Sequence, residues 1–167
     1  MNYMTTIKQV GNAHAQQIIN LILPIQQIEF GVPITLEDQP DLLDIEKSYQ
    51  AGGGNFWAAL SDEDVVGTIA LIAIGNGKGV IRKMFVRKDF RGKEYGIARD
   101  LLENLILYCK TENITDLYLG TVDILQAAMR FYERNGFVKI RKQDLPSAFP
   151  LMSADNVFYH LKIDKPL

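Results

Sequence analysis

The sequence contains a single cysteine, Cys109. That count excludes an intramolecular disulfide and argues against a zinc site built on cysteines. Long apolar runs are missing too. The longest, near Val65–Ile74, is interrupted by Gly67 and Thr68 and is too short to span a bilayer. The opening MNYMTTIKQV lacks the apolar stretch of a signal peptide. These absences point to a cytoplasmic protein in a reducing compartment, with no membrane partner. There is little net charge of either sign, 18 Lys+Arg against 20 Asp+Glu, and so no electrostatic reason to expect nucleic acid as the main partner. No Pro- or Ser-rich break, low-complexity linker or internal repeat divides the chain. Residues 1–167 therefore read as one domain with one core.

What is present is ordinary globular composition, 47% hydrophobic and 23% charged. Thr5–Val10 reads as a strand and Ala13–Leu23 as a helix stopping before Pro24, with Ile25–Thr35 a loop or broken helix. Pro40 suits a first helical turn that Asp38 can cap, and the spacing of Leu42, Leu43, Ile45 and Tyr49 carries that helix to about Gln50. Phe56–Leu60, Val65–Ile74 and Val80–Val86 read as an antiparallel meander, with Asn76-Gly77 marking a hairpin. The period then changes. From Tyr95 to about Lys110, Ile97, Leu101, Leu105 and Cys109 recur every four residues and predict a helix with one apolar face. Asp116–Thr121 follows as a strand. Asp123 can cap a helix to Arg134, which Gly136 ends, and Phe137–Arg141 and Val157–Ile163 complete the sheet. The expected class is mixed α/β (α+β), with a mainly antiparallel central sheet flanked by helices.

The informative stretch is Met84 to Ala98. A strand ends, a cationic glycine-containing loop follows, and a helix begins. Unpaired N–H groups at a helix start, together with the helix dipole, suit a phosphate. Gly92 permits close backbone approach and Gly96 a tight first turn, while Arg91 and Lys93 add charge for a pyrophosphate. There is no Gly-Lys-Ser/Thr ending of a P-loop and no full glycine triplet of a dinucleotide fold.

Arg91-Gly92-Lys93-Glu94-Tyr95-Gly96-Ile97-Ala98 resembles the acetyl-CoA loop of GNAT-superfamily N-acetyltransferases, Q/R-x-x-G-x-G/A, with Glu94 in place of its first glycine. Ala128-Met129-Arg130-Phe131-Tyr132-Glu133-Arg134-Asn135-Gly136-Phe137 resembles the family's A-x-x-F-Y-x-x-x-G-F segment. Leu125 stands where many members carry asparagine. The resemblance implies a fold with splayed central strands and acetyl-CoA as cofactor. Backbone of Met84, Phe85 and Val86 would hold the pantetheine arm, and Arg91 to Ala98 the pyrophosphate. Tyr132 would be the general acid. Glu29 and Phe30 fall in the region that forms the family's acceptor pocket. The acceptor it implies is a small-molecule or peptide amine, and the carboxylates Glu29, Glu37, Asp38, Asp41 and Asp44 lean toward a cationic one. Glu29, Asp123 and a water chain are candidate bases, because the strand where many members place a glutamate carries Arg82 and Lys83. His14, His160 and Cys109 read as structural, and no metal-ligand cluster is evident. The alternative is a non-catalytic acyl-CoA sensor or scaffold of the same fold. Monomer and homodimer remain open.

Overall fold

A computed structural model describes residues 5–164. Its seven strands run in the hydrogen-bonded order β1-β2-β3-β4-β5-β7-β6. They are β1 (Thr5–Gln9), β2 (Asn55–Ser61), β3 (Asp64–Gly75), β4 (Lys78–Val86), β5 (Asp116–Thr121), β6 (Val138–Ile140) and β7 (Val157–Lys162). The helices are α1 (Ala15–Pro24), α2 (Ile45–Ser48), α3 (Ile97–Thr111) and α4 (Gln126–Arg134). The predicted class and element order match this architecture. Pairings are antiparallel for β1–β2, β2–β3, β5–β7 and β6–β7, and parallel for β4–β5.

Contacts divide the chain into two compact units, 1–72 with 82–108, and 73–81 with 109–167. The first is built on β1, β2 and most of β3. Alternation along β2 sends Phe56, Ala58 and Leu60 into a core with Ile18 and Ile22 of α1, Ile45 of α2 and Tyr49 just after it. The other face receives α3. A Cβ on Gly67 would stand 3.0 Å from Ile97 Cγ2 and 3.2 Å from Leu101 Cδ1, so this glycine lets helix and strand approach closely. Ile97, Leu101 and Leu105 are at most 1% exposed, as their four-residue spacing predicts.

The second unit is an antiparallel trio of β5, β7 and β6, with α4 and a group of aromatic rings. Tyr132 lies 5.6 Å from Phe137 and 5.8 Å from Tyr159 between centroids. Gly136, with φ at +90°, ends α4 as expected. Within this unit β4 pairs with β5 only over Lys78–Val80, whereas all of β5 pairs with β7.

Three local expectations differ. Pro24 does not stop the first helix: the chain continues into a π-helical turn over Ile25–Glu29. The helix expected from Pro40 to Gln50 splits into a 3-10 turn, the single-turn α2 and another 3-10 turn. Asp38 caps none of the three and instead accepts from Thr35 N and Oγ1, while Asp44 caps α2 through Lys47 N. The residue before α4 is Leu125, with no side-chain cap, so Asp123 does not serve as predicted. The exchange of Asp38 for Asp44 reflects short polar residues choosing among nearby main-chain donors. No helix among the described residues is long and apolar enough to cross a membrane.

Candidate functional site

Residues 82–108, which hold the second half of β4, the loop and most of α3, lie in the first unit. Lys83 sits inside β4 with φ at +54°, in the left-handed region, and its carbonyl accepts from the Thr68 hydroxyl at 2.7 Å. That left-handed residue kinks the strand just before Met84, Phe85 and Val86. All three are half-buried, and Phe85 packs against the core.

Lys83 Nζ is directed into the protein, its side chain only 9% exposed. It donates to Gln39 Oε1 at 2.5 Å and lies 3.5 Å from Asp41 Oδ2. The same Asp41 oxygen accepts from Tyr49 OH at 2.5 Å, and Gln39 exchanges amide hydrogen bonds with Gln26. Burial holds the Lys83 ammonium below the ordinary lysine range, against the pull of Asp41, and burial followed by Asp41 raises the Tyr49 phenol. Sequence reading did not find this network, because its members lie far apart in the chain.

A 3-10 turn at Lys88–Phe90 leads out of β4 into the loop. Gly92 and Gly96 have φ of +123° and +65°, and Glu94 is not among the residues with positive φ. The backbone at Glu94 therefore accepts an L side chain. Its exposed carboxylate folds over Gly92, where an added Cβ would come within 2.7 Å of Oε2. The N–H groups of Arg91, Tyr95 and Gly96 are already bonded to the carbonyls of Lys88, Gly92 and Gly92. Asp100 N–H makes the first bond of α3, to Gly96 O, so the amides of residues 97–99 precede any intrahelical acceptor. Among the described residues, the amides of Gly92, Lys93, Glu94, Ile97 and Ala98 have no main-chain partner of this kind. Arg99, which sequence reading passed over, brings its Nη2 within 3.0 Å of where a Gly96 Cβ would stand, adding a cation at the helix start.

Arg91 is placed otherwise than expected. Its Nε donates to Val86 O at 2.8 Å, and its two terminal nitrogens grip both Glu29 oxygens at 2.5 and 2.7 Å. Its guanidinium carbon lies 5.9 Å from the Phe30 ring centre. The Arg91 hydrogen bond is the main reason the Glu29 carboxyl lies below the ordinary range. The acidic residues read as favouring a cationic acceptor are largely spent inside the protein: Glu29 on Arg91, Asp38 on Thr35, Asp41 on Tyr49 and Lys83, Asp44 on α2 and Asn12. A cleft of about 680 Å³ opens beside Gln17, Leu21, Ile25, Ile28, Glu29 and Arg87, and none of residues 92–98 lines it.

In the second unit Tyr132 is 6% exposed, and its hydroxyl makes no hydrogen bond among the described residues, with Asp155 and Tyr159 as its electrostatic neighbours. Burial, and secondarily Asp155, pushes its ionisation up, so the phenol stays protonated. His160 Nε2 meets Asp116 at 2.7 Å and its ring stacks on Tyr118, a structural role, as expected. The Cys109 thiol is buried and pushed up to about 12 by that burial, which suits a core residue and not a nucleophile. No group of three His, Cys, Asp or Glu side chains able to hold a metal occurs among the described residues.

Known proteins share this fold. An acetyltransferase of the GNAT family from Staphylococcus aureus Mu50 superposes with a TM-score of 0.92 at 40% identity, over 96% of this chain and 100% of its own. The PaiA N-acetyltransferase from Thermoplasma acidophilum, solved in complex with coenzyme A, gives a TM-score of 0.73 over 95% of this chain and 99% of its own, at 16% identity, a likeness of fold alone. A probable N-acetyltransferase, camello, from Xenopus tropicalis is 32% identical over 123 residues, 72% of this chain and 55% of that protein. The chain spans about half the length of the curated relatives it matches. The model of the Acetyltransferase (GNAT) family matches residues 19–137, a span holding β4, the glycine turn, α3 and α4 together. With that match added to a glycine turn opening a helix beside a kinked strand, the chain belongs to the acetyltransferase (GNAT) family.

Proposed function

We propose that this chain transfers the acetyl group of acetyl-CoA to an amine by direct attack within a ternary complex. The observation that carries the reading is the turn at Gly92–Gly96, whose unspent amides open α3. Amides so placed form an anion site with the helix dipole, and a pyrophosphate fits it. The donors would be Gly92, Lys93, Glu94, Ile97 and Ala98, with Arg91, Tyr95 and Gly96 framing the turn through their own internal bonds. Beyond Lys83 the main chain of Met84, Phe85 and Val86 would take the pantetheine arm as an added strand. An amide there would polarise the thioester carbonyl.

Acetyl-CoA supplies an activated acyl group with a good leaving thiolate. The chain's task is then positioning, deprotonating the incoming ammonium and protonating the thiolate. We assign the last step to Tyr132, whose unpartnered, protonated hydroxyl suits a proton donor. The amine's proton passes to solvent or to a group still to be identified. Glu29 is excluded from that duty because Arg91 occupies both its oxygens.

The test is a thermal shift with coenzyme A, followed by thiol release from acetyl-CoA in the presence of mixed amines. Coenzyme A at a hundred times its dissociation constant is expected to stabilise the fold by about 2.7 kcal/mol. No shift at millimolar coenzyme A would remove the cofactor from this reading. A shift without thiol release across broad amine classes would favour the acyl-CoA sensor instead.

A further inference from the structure

Resting on the acetyl-CoA reading of the turn, we infer that the Arg91 side chain serves the segment 25–36 and not the pyrophosphate. Its fork on Glu29 is a latch that fixes that segment. Four observations support this. First, the guanidinium is committed at three nitrogens, to Val86 O and to both Glu29 oxygens. A paired fork of this kind is geometrically demanding and stronger than a single contact. Second, the partners lie 62 residues apart, so the bond joins the loop after β4 to a segment it does not adjoin in sequence. Third, both side chains are partly shielded, 35% and 25% exposed, with Phe30 near the guanidinium and Lys88 adding attraction to Glu29. Fourth, the segment has little regular structure of its own. After Pro24 it makes a π-helical turn, a conformation rare in proteins. It is then held by Gln27 Nε2 on Ile34 O, Val32 N on Gln26 O and the Gln26–Gln39 pair. Reaching a phosphate would oblige Arg91 to abandon both oxygens of a carboxylate it already neutralises. The main-chain amides after Gly92 need no such exchange.

The experiment is hydrogen exchange of the ligand-free protein read by mass spectrometry, on wild type, Glu29→Gln, Arg91→Gln, Arg91→Lys and the Glu29→Gln/Arg91→Gln double variant. Coenzyme A titrations follow on the same proteins. Amides of residues 25–36 are expected to exchange about three- to tenfold faster in each single variant, the size a partly shielded paired fork supports. The double variant should exchange no faster than either single one, as for two halves of one interaction. Arg91→Lys keeps the charge but loses the fork and should behave as Arg91→Gln. Coenzyme A affinity should change by less than about threefold throughout. Unchanged exchange in Glu29→Gln overturns the latch. Unchanged exchange in Arg91→Gln with a tenfold or greater loss of coenzyme A affinity overturns it too, and makes Arg91 a phosphate ligand. If wild type binds no coenzyme A, the proposed function fails, while the exchange data still decide the latch.

Discussion

At the residue scale, Tyr132 and Lys83 show how burial assigns chemistry. Tyr132 stands among Phe131, Phe137 and Tyr159 with its hydroxyl unshared, and burial keeps that hydroxyl protonated. Tyr132→Phe preserves the ring packing and deletes only the proton donor. Turnover is expected to fall about a hundredfold, the lower range for a lost general acid. Coenzyme A affinity should hold. Steady-state thiol release and a binding titration check the pair of outcomes, and unchanged turnover at saturating amine would remove Tyr132 from the mechanism. Lys83 is the contrasting case. Its ammonium is engaged by Gln39 and Asp41 and held below the ordinary lysine range, so it belongs to the frame that fixes the kink in β4. A buried cation keeps its place only with such partners.

At the element scale, the strand, turn and helix from β4 to α3 act as one device. The 15-residue α3 brings a full dipole to the turn, and its apolar stripe clamps the helix to β3 at Gly67. Gly96 is required by its backbone. Its φ of +65° disfavours any Cβ, whereas the Arg99 Nη2 that an added Cβ would meet at 3.0 Å is the tip of an exposed, flexible side chain and can move aside. Gly96→Val should cost about 1–2 kcal/mol from backbone strain alone. Displacement of the amides of Ile97 and Ala98 should then weaken coenzyme A by about tenfold. Isothermal titration measures the affinity and a urea melt the stability. Full retained affinity would show that the turn does not hold the cofactor. Glu94 in place of the family glycine costs no backbone strain, because that position does not adopt positive φ.

At the scale of the whole molecule, ionisation sets the stability window. Burial raises the phenols of Tyr49 and Tyr132 above their ordinary 10.0, and lifts Tyr159 and Cys109 to about 12. Their folded state holds protons that the unfolded chain releases. Their contribution is therefore complete below about pH 9 and is lost as pH rises beyond 10. Lys83, shifted downward, works in the opposite sense, since its burial penalty shrinks as pH climbs toward 10.5. Glu29, Asp89 and Asp116 are held below their ordinary 4.5, 3.8 and 3.8. What they contribute is present above those values and is lost as pH falls through them. The melting temperature should form a plateau between about pH 5 and 9 and fall on both sides. A calorimetric series from pH 3 to 11 checks it, and a melting temperature still rising above pH 10 would contradict the packing of the three tyrosines.

Much of this was legible from the residues alone. The apolar strand Phe56–Leu60, the four-residue stripe from Ile97 to Cys109, the Asn76-Gly77 hairpin and the stop at Gly136 each report a local backbone preference, and local preferences survive into the fold. The two family-like segments around Gly96 and Tyr132 likewise placed the glycine turn and α4 before any coordinates. Tertiary structure alone decided where the charges went. Arg91 was expected at a pyrophosphate and instead grips Glu29, and Lys83 turns inward to Gln39, partners 62 and 44 residues distant. A charge in sequence is equally suited to solvent, ligand or ion pair. Only the folding of remote segments onto one another, with the desolvation it imposes, selects among them.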